Sequence, residues 1–288
     1  LGAVYWLRGD FDGALQLYRK AELIYRDLND IRGLSAILHG FGVTHFDRGQ
    51  LETATEFLQQ AQKLRREIND PAALSATLNA LGVLSASCDE PEAAVGNWAE
   101  ALEHAERAGN MSWVATVSNN ISEALMPMER YEESHGYLKR AIESAEMAEL
   151  PRVEIDARRN LAMLLGLEGK HDEAMESIER ARNQAKPLGQ PRVLAAVERS
   201  AGELSAGQAR LVEDDVGKAK PHWVRAEASW RKAAQIFEKG GYTLEAATTV
   251  GLLADALYEL GKVEEAEKQR RRQSDLKAAS VDTGSSSP

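Results

Sequence analysis

The chain has 288 residues, with 45 acidic against 35 basic side chains and a formal net charge of −10. That balance argues against a duplex nucleic-acid binder, which needs a basic stripe to displace counterions. A single cysteine, Cys88, excludes an intramolecular disulfide and fits a reducing compartment. No apolar run reaches the ~20 residues of a membrane span, and no export signal is recognisable, so a cytoplasmic protein without membrane contacts is expected.

A forty-residue period organises the chain. Gly2, Gly42, Gly82, Ser122, Ala162 and Gly202 recur at that spacing. The first five are each followed nineteen residues on by Ala21, Ala61, Ala101, Ala141 and Ala181. Ala14, Ala54, Ala94, Ser134 and Ala174 form a third row between them. A period of this size predicts stacked supersecondary units, each contacting its neighbours, in place of one central core. In chain order, a first helix ends at Arg8-Gly9-Asp10, and Arg48-Gly49-Gln50 marks the same break one repeat later. The second half of that repeat is a helix over 51–68, with Ala54, Leu58 and Ala61 on one face. The next helix, over 74–86, carries Leu78, Leu81 and Leu84. Asn29, Asn69, Gly109, Gly189 and Gly240 are expected to end helices in the left-handed conformation. Asp30 and Asp70 are expected to cap the helices that follow, the latter ahead of Pro71. After Gly202 the next small–aromatic–small set, Ala226, Trp230 and Ala233, arrives twelve residues late. The insertion at 208–223 reads as two lengthened helices with a projecting solvated turn, or as a protrusion that contacts a partner or a second copy. Leu253-Ala254, Leu257, Gly261 and Ala266 resume the phase. Residues 1–272 are thus expected to form one all-α domain whose first repeat is truncated, which suggests a segment of a larger protein, and 273–288 a disordered tail.

The small residues have a direct physical reason. Where two helices cross closely, any side chain longer than a methyl forces the axes apart, so Gly, Ala and Ser mark the crossings and larger apolar residues fill the flanking holes.

The set Leu1-Gly2, Tyr5, Gly9-Asp10-Phe11, Ala14, Tyr18 and Ala21 resembles the tetratricopeptide repeat. It recurs as Phe41-Gly42, Gly49, Leu51, Ala54, Leu58 and Ala61, and again as Leu81-Gly82, Pro91, Ala94, Trp98 and Ala101. Ile121-Ser122 with Tyr131, Leu138 and Ala141, and Leu161-Ala162 with Gly169, Ala174, Ile178 and Ala181, are further copies. A period of forty resembles the longer-helix subgroup of kinesin light chains, LGN/Pins adaptors and MalT-type regulators. The resemblance implies a right-handed superhelical solenoid of about seven antiparallel helix pairs. It also implies a non-enzymatic scaffold that takes an extended peptide or partner helix in its concave groove, as one domain of a larger regulator. The alternative is the ligand- or peptide-sensing arm of a MalT-type signalling NTPase or transcription activator that controls self-assembly.

Carried onto this sequence, the inward positions of the first helices are His39, Val43 and Phe46, then Asn79 and Val83, then Asn119, Glu123 and Met126. Arg159 and Met163, Arg199 and Glu203, and finally Asp255 and Tyr258 follow. Asn79 and Asn119 share a slot of adjacent repeats, and an amide offers a donor and an acceptor together, matching one peptide unit. Arg159 and Arg199 continue that slot with guanidinium forks suited to a carboxylate or phosphate. Val43, Phe46 and Val83 would supply apolar anchors. Arg158 and Glu198 share another slot and are expected to pair with each other.

No enzymatic constellation is apparent. The histidines at 39, 45, 104, 135, 171 and 222 are scattered over different repeats without zinc-ligand spacing, and no Gly-rich phosphate loop is present. The basic run 268–272 reads as a complement to a helix C-terminus, not as a nucleic-acid site. No cofactor is expected; the partners expected are a protein or peptide ligand, with self-association possible.

Overall fold

In the computed structural model, which describes residues 1–285, fourteen α-helices account for nearly all of the described chain, and no strand occurs among those residues. The helices fall into two compact units, residues 1–150 and 151–288, where the sequence alone suggests a single domain over 1–272. The first unit holds α1 (Gly2–Leu7), α2 (Phe11–Asp27), α3 (Ile31–Asp47), α4 (Leu51–Glu67), α5 (Pro71–Ser87), α6 (Pro91–Arg107), α7 (Met111–Leu125) and α8 (Tyr131–Met147). The second holds α9 (Pro151–Leu167), α10 (His171–Ala185), α11 (Pro191–Leu211), α12 (Val216–Lys239), α13 (Thr243–Glu259) and α14 (Val263–Ser285). Each odd-numbered helix packs against the even-numbered one that follows it, giving helix pairs throughout.

The forty-residue step is visible in the helix starts: α3, α5, α7, α9 and α11 begin at 31, 71, 111, 151 and 191. The extra twelve residues of the sixth pair lengthen its helices, so that α11 has 21 residues and α12 has 24, against 17 in most others. Asp30 and Asp70 cap as expected, accepting from the backbone N–H of Gly33 at 2.9 Å and of Ala73 at 3.1 Å. Asn29, Asn69, Gly109 and Gly189 take positive φ. At the end of α12 the left-handed residue is Gly241, not Gly240. Gly240 stays right-handed, and the Tyr242 N–H reaches back to the Phe237 carbonyl at 2.9 Å. Asp89, Glu129 and Glu149 also turn left-handed; the same backbone closure holds each, as in Leu150 N–H to Ala145 C=O at 2.9 Å.

The boundary expected at 272 is not a break. α14 continues through it to Ser285, and Leu276 packs against the cluster of Ala195, Ala233, Phe237 and Ala246. An apolar residue one turn past the basic run thus gives the helix a reason to continue. Residues 286–288 of the expected tail lie outside the described residues.

The small-residue rows lie at the helix crossings. Ala14, Ala54, Ala94, Ser134, Ala61, Ala101, Ala141 and Ala181 are fully buried. A methyl added at Gly82 would fall inside the Trp98 indole, and one at Gly202 inside that of Trp230. Overpacking one of these crossings is costly: Ala101→Leu is expected to lower stability by about 1–3 kcal/mol, read from urea midpoints at unchanged m-value.

Candidate functional site

In the first unit the residues expected on the inner wall separate into two kinds. Val43 and Phe46 of α3 are partly buried and pack on the cluster of Ala54, Leu58, Leu81 and Leu84. They belong as much to the core as to any surface. His39 is also drawn inward. Its Nδ1 lies 3.5 Å from the Thr77 hydroxyl, which in turn accepts a hydrogen bond from the Arg65 guanidinium. Arg65 is buried at 5 % exposure and donates to the Ala73 carbonyl at 2.6 Å. Burial, reinforced by the Arg65 charge, pushes the His39 imidazole down to about 3, so it is neutral at physiological pH.

That shift has a sign in the stability profile. The folded His39 pKa lies below its unfolded value of 6.5, so below pH 6.5 the unfolded chain binds the proton and the folded one does not. Stability therefore falls as pH drops from 6.5 toward 3, by up to about 1.4 kcal/mol per pH unit from this group. His39→Gln is expected to flatten the profile in that window, which urea unfolding at pH 4.5 and 7 will measure.

Val83 on α5 and Glu123 on α7 line an open cavity of this unit, and Asn79 on α5 is partly buried. The Asn79 backbone carbonyl accepts from Trp98 Nε1 at 3.2 Å, which fixes this turn of α5 over α6. Its side-chain Oδ1 accepts from Asn120 Nδ2 at 2.9 Å. The amide that meets Asn79 is thus Asn120, not Asn119. Residues forty apart hold the same angular position and point the same way. A contact between neighbouring helices needs the next residue, turned by ~100° toward the preceding helix. Asn119 is buried, with its backbone carbonyl accepting from the Ser122 hydroxyl at 2.6 Å. Val83, Asn120 and Glu123 line a cavity of about 360 Å3, together with Ala86, Ser87, Ala124 and Trp98. Met126, the residue that closes α7, is partly buried and lies outside that lining. Sequence periodicity misses Asn120 because it looks for equivalent slots.

In the second unit, Met163 packs on the cluster around Ile155, Leu165 and Ile178. Arg159 and Arg199 come together in a cleft of about 570 Å3 that also exposes Arg152, Arg192, Asp156 and Glu245. Arg199 is placed by its own backbone, whose carbonyl accepts from Trp230 Nε1 at 3.0 Å. This repeats the Trp98–Asn79 arrangement of the first unit. Arg159 lies 3.9 Å from Asp156, and Arg199 Nε lies 3.6 Å from Glu203. Burial pushes the carboxyl groups of both Asp156 and Glu203 up, opposed by the neighbouring arginines. Asp255 and Tyr258 line a separate cavity of about 840 Å3 with Arg210 and Trp223. The expected Arg158–Glu198 pair gives way to other partners: Arg158 donates to Glu154 at 2.8 Å, while Glu198 is held by Arg182 and Lys232.

Among the described residues no group of three or more His, Cys, Asp or Glu side chains is placed to hold a metal ion, and no helix is long and apolar enough to cross a membrane.

Helix pairs at a fixed step, with small residues at the crossings, define a helical-repeat protein. Tetratricopeptide-repeat models match residues 1–67 and 156–180. The chain thus carries tetratricopeptide repeats. No curated protein matches it in sequence. Among solved structures it is similar to the apo form of RapI, at 15% identity and a TM-score of 0.73 over 96% of this chain and 95% of that one. The apo quorum sensor NprR from B. thuringiensis is similar at 16% identity and a TM-score of 0.71, over 96% of this chain and 74% of that one. A signal transduction ATPase from Pyrococcus horikoshii with a tetratricopeptide repeat sensor is similar at 18% identity and a TM-score of 0.71, over 96% of this chain and 42% of that one.

Proposed function

We propose that this chain is a non-enzymatic recognition module that binds an extended peptide along the inner face of its first unit, over α3, α5 and α7. The observation that carries the reading is the Asn79–Asn120 amide pair beside an open cavity. Within the pair one N–H and one carbonyl are used, leaving the Asn79 amide N–H groups and the Asn120 oxygen as a donor and an acceptor for a peptide unit. Val83 and the edge of Trp98 offer apolar contact beside them, and Glu123 offers a charge. The fold is shared with proteins described as a quorum sensor and as a repeat sensor, which agrees with a role in sensing. Acting as one domain of a larger cytoplasmic regulator, the module would need neither cofactor nor nucleic acid.

A random peptide library displayed on phage and selected on the wild-type chain tests this. Selected peptides are expected to lose at least about tenfold in affinity for Asn79→Ala/Asn120→Ala, since two hydrogen bonds to a bound backbone are removed. Equal affinity for the double variant, with its helical circular dichroism intact, overturns the assignment.

The likeness to the repeat sensor of a signal transduction ATPase favours a second reading, a sensing arm that governs assembly of a nucleotide-hydrolysing protein. A nucleotide-binding module encoded with this segment supports it, and its absence removes it.

A further inference from the structure

The arginine-lined cleft of the second unit is built differently from the amide face of the first, and it points to a different ligand. Four guanidinium groups, of Arg152, Arg159, Arg192 and Arg199, meet there with only two lining carboxylates, Asp156 and Glu245. With Glu203, which faces Arg199 at 3.6 Å, counted beside them, one positive charge is in excess, in a chain whose formal net charge is −10. Arg192 is closely paired, at 2.6 Å from Glu245, and Arg159 Nη2 donates to Asn160 Oδ1 at 3.3 Å. Arg159 and Arg199 face carboxylates at 3.9 and 3.6 Å, beyond good hydrogen-bond length. The Nε atoms of both are buried and have no hydrogen-bond partner. Buried donors left unmet are costly, and both of these side chains line the cleft, where an acceptor from outside meets their guanidinium groups.

We propose that this cleft binds a phosphate monoester. The three terminal oxygens of such a group accept more of the forked N–H groups than the two oxygens of a carboxylate can. The cavity of about 570 Å3 is larger than a phosphoryl group needs. Tyr242, over whose ring the Arg192 guanidinium lies at 5.2 Å, supplies a wall for the organic part of the ligand. The Trp230 hydrogen bond to the Arg199 carbonyl holds that arginine at the cleft in advance of the ligand. The proposal does not depend on the peptide reading of the first unit.

Calorimetric titration of the whole 288-residue chain with phenyl phosphate, inorganic phosphate and benzoate tests it. Phenyl phosphate is expected to bind saturably and more tightly than benzoate. Inorganic phosphate, competing for the same site, separates the phosphoryl contribution from that of the ring. Arg159→Gln and Arg199→Gln are each expected to weaken phenyl phosphate binding by about tenfold or more. Asp156→Asn, which removes an opposing charge, is expected to tighten it, an outcome that a purely structural role does not produce. Failure of phenyl phosphate to bind, benzoate binding as tightly, or unchanged affinity in folded arginine variants overturns the proposal. Should an arginine variant unfold, weaker binding by Asp156→Asn overturns it as well.

Discussion

Trp230→Ala is expected to be the most damaging single substitution, lowering stability by about 3–5 kcal/mol. Trp230 is 1 % exposed and among the largest fully buried side chains of the second unit. Its indole occupies the space that Gly202 leaves by having no side chain, and it packs in a cluster with Ala226, Leu253 and Leu257. Alanine would open a cavity that rigid helices on both sides cannot close. Trp230→Phe keeps most of the apolar volume and removes the hydrogen bond to the Arg199 carbonyl, so about 1–2 kcal/mol is expected. Chemical denaturation followed by circular dichroism separates the two. A Phe variant as unstable as the Ala variant would mean that the hydrogen bond, not the packing, dominates.

Arg182→Ala is expected to cost about 3 kcal/mol or more, because it strands a buried carboxylate. Glu198 is 2 % exposed and accepts from Arg182 twice, from Nε at 3.1 Å and from Nη2 at 2.9 Å. Lys232 approaches the same carboxylate from α12 and would remain as its only strong partner. The informative comparison is the double replacement Arg182→Met/Glu198→Leu. Leu38 and Leu78 fill the equivalent slot in earlier repeats and are almost fully buried there, so an apolar pair suits the position. Replacing both charges removes the desolvation cost along with the attraction, and the double variant is expected within about 1 kcal/mol of wild type. Equal losses in the single and double variants, read from the same denaturation curves, would contradict this.

The repeat itself was legible because its cause is steric. A helix crossing tolerates only small side chains, so Ala54, Ala94 and Ala101 mark it in any partner context, and the aspartates and glycines at the turns carry their geometry with them. The inner wall was less legible. Residues forty apart share a direction without touching, so a search for equivalent slots pairs Asn79 with Asn119 and passes over Asn120, which makes the contact. Periodicity also cannot tell an exposed inner position from one tucked under the next helix, and Val43, Phe46 and Met163 proved to be partly core. His39 was drawn in by Arg65 and Thr77, a three-way arrangement over 38 positions that no local pattern announces. Glu198 found Arg182 and Lys232, since ion pairs choose the neighbour within reach over the residue in register.

The most direct test of peptide recognition is hydrogen exchange of the first unit with and without a library-selected peptide. Binding along the inner face is expected to slow exchange in segments covering 39–46, 76–87 and 116–126, on α3, α5 and α7, and to leave α4, α6 and α8 unchanged. Protection concentrated on α4, α6 and α8, with the inner helices unaffected, would contradict the account.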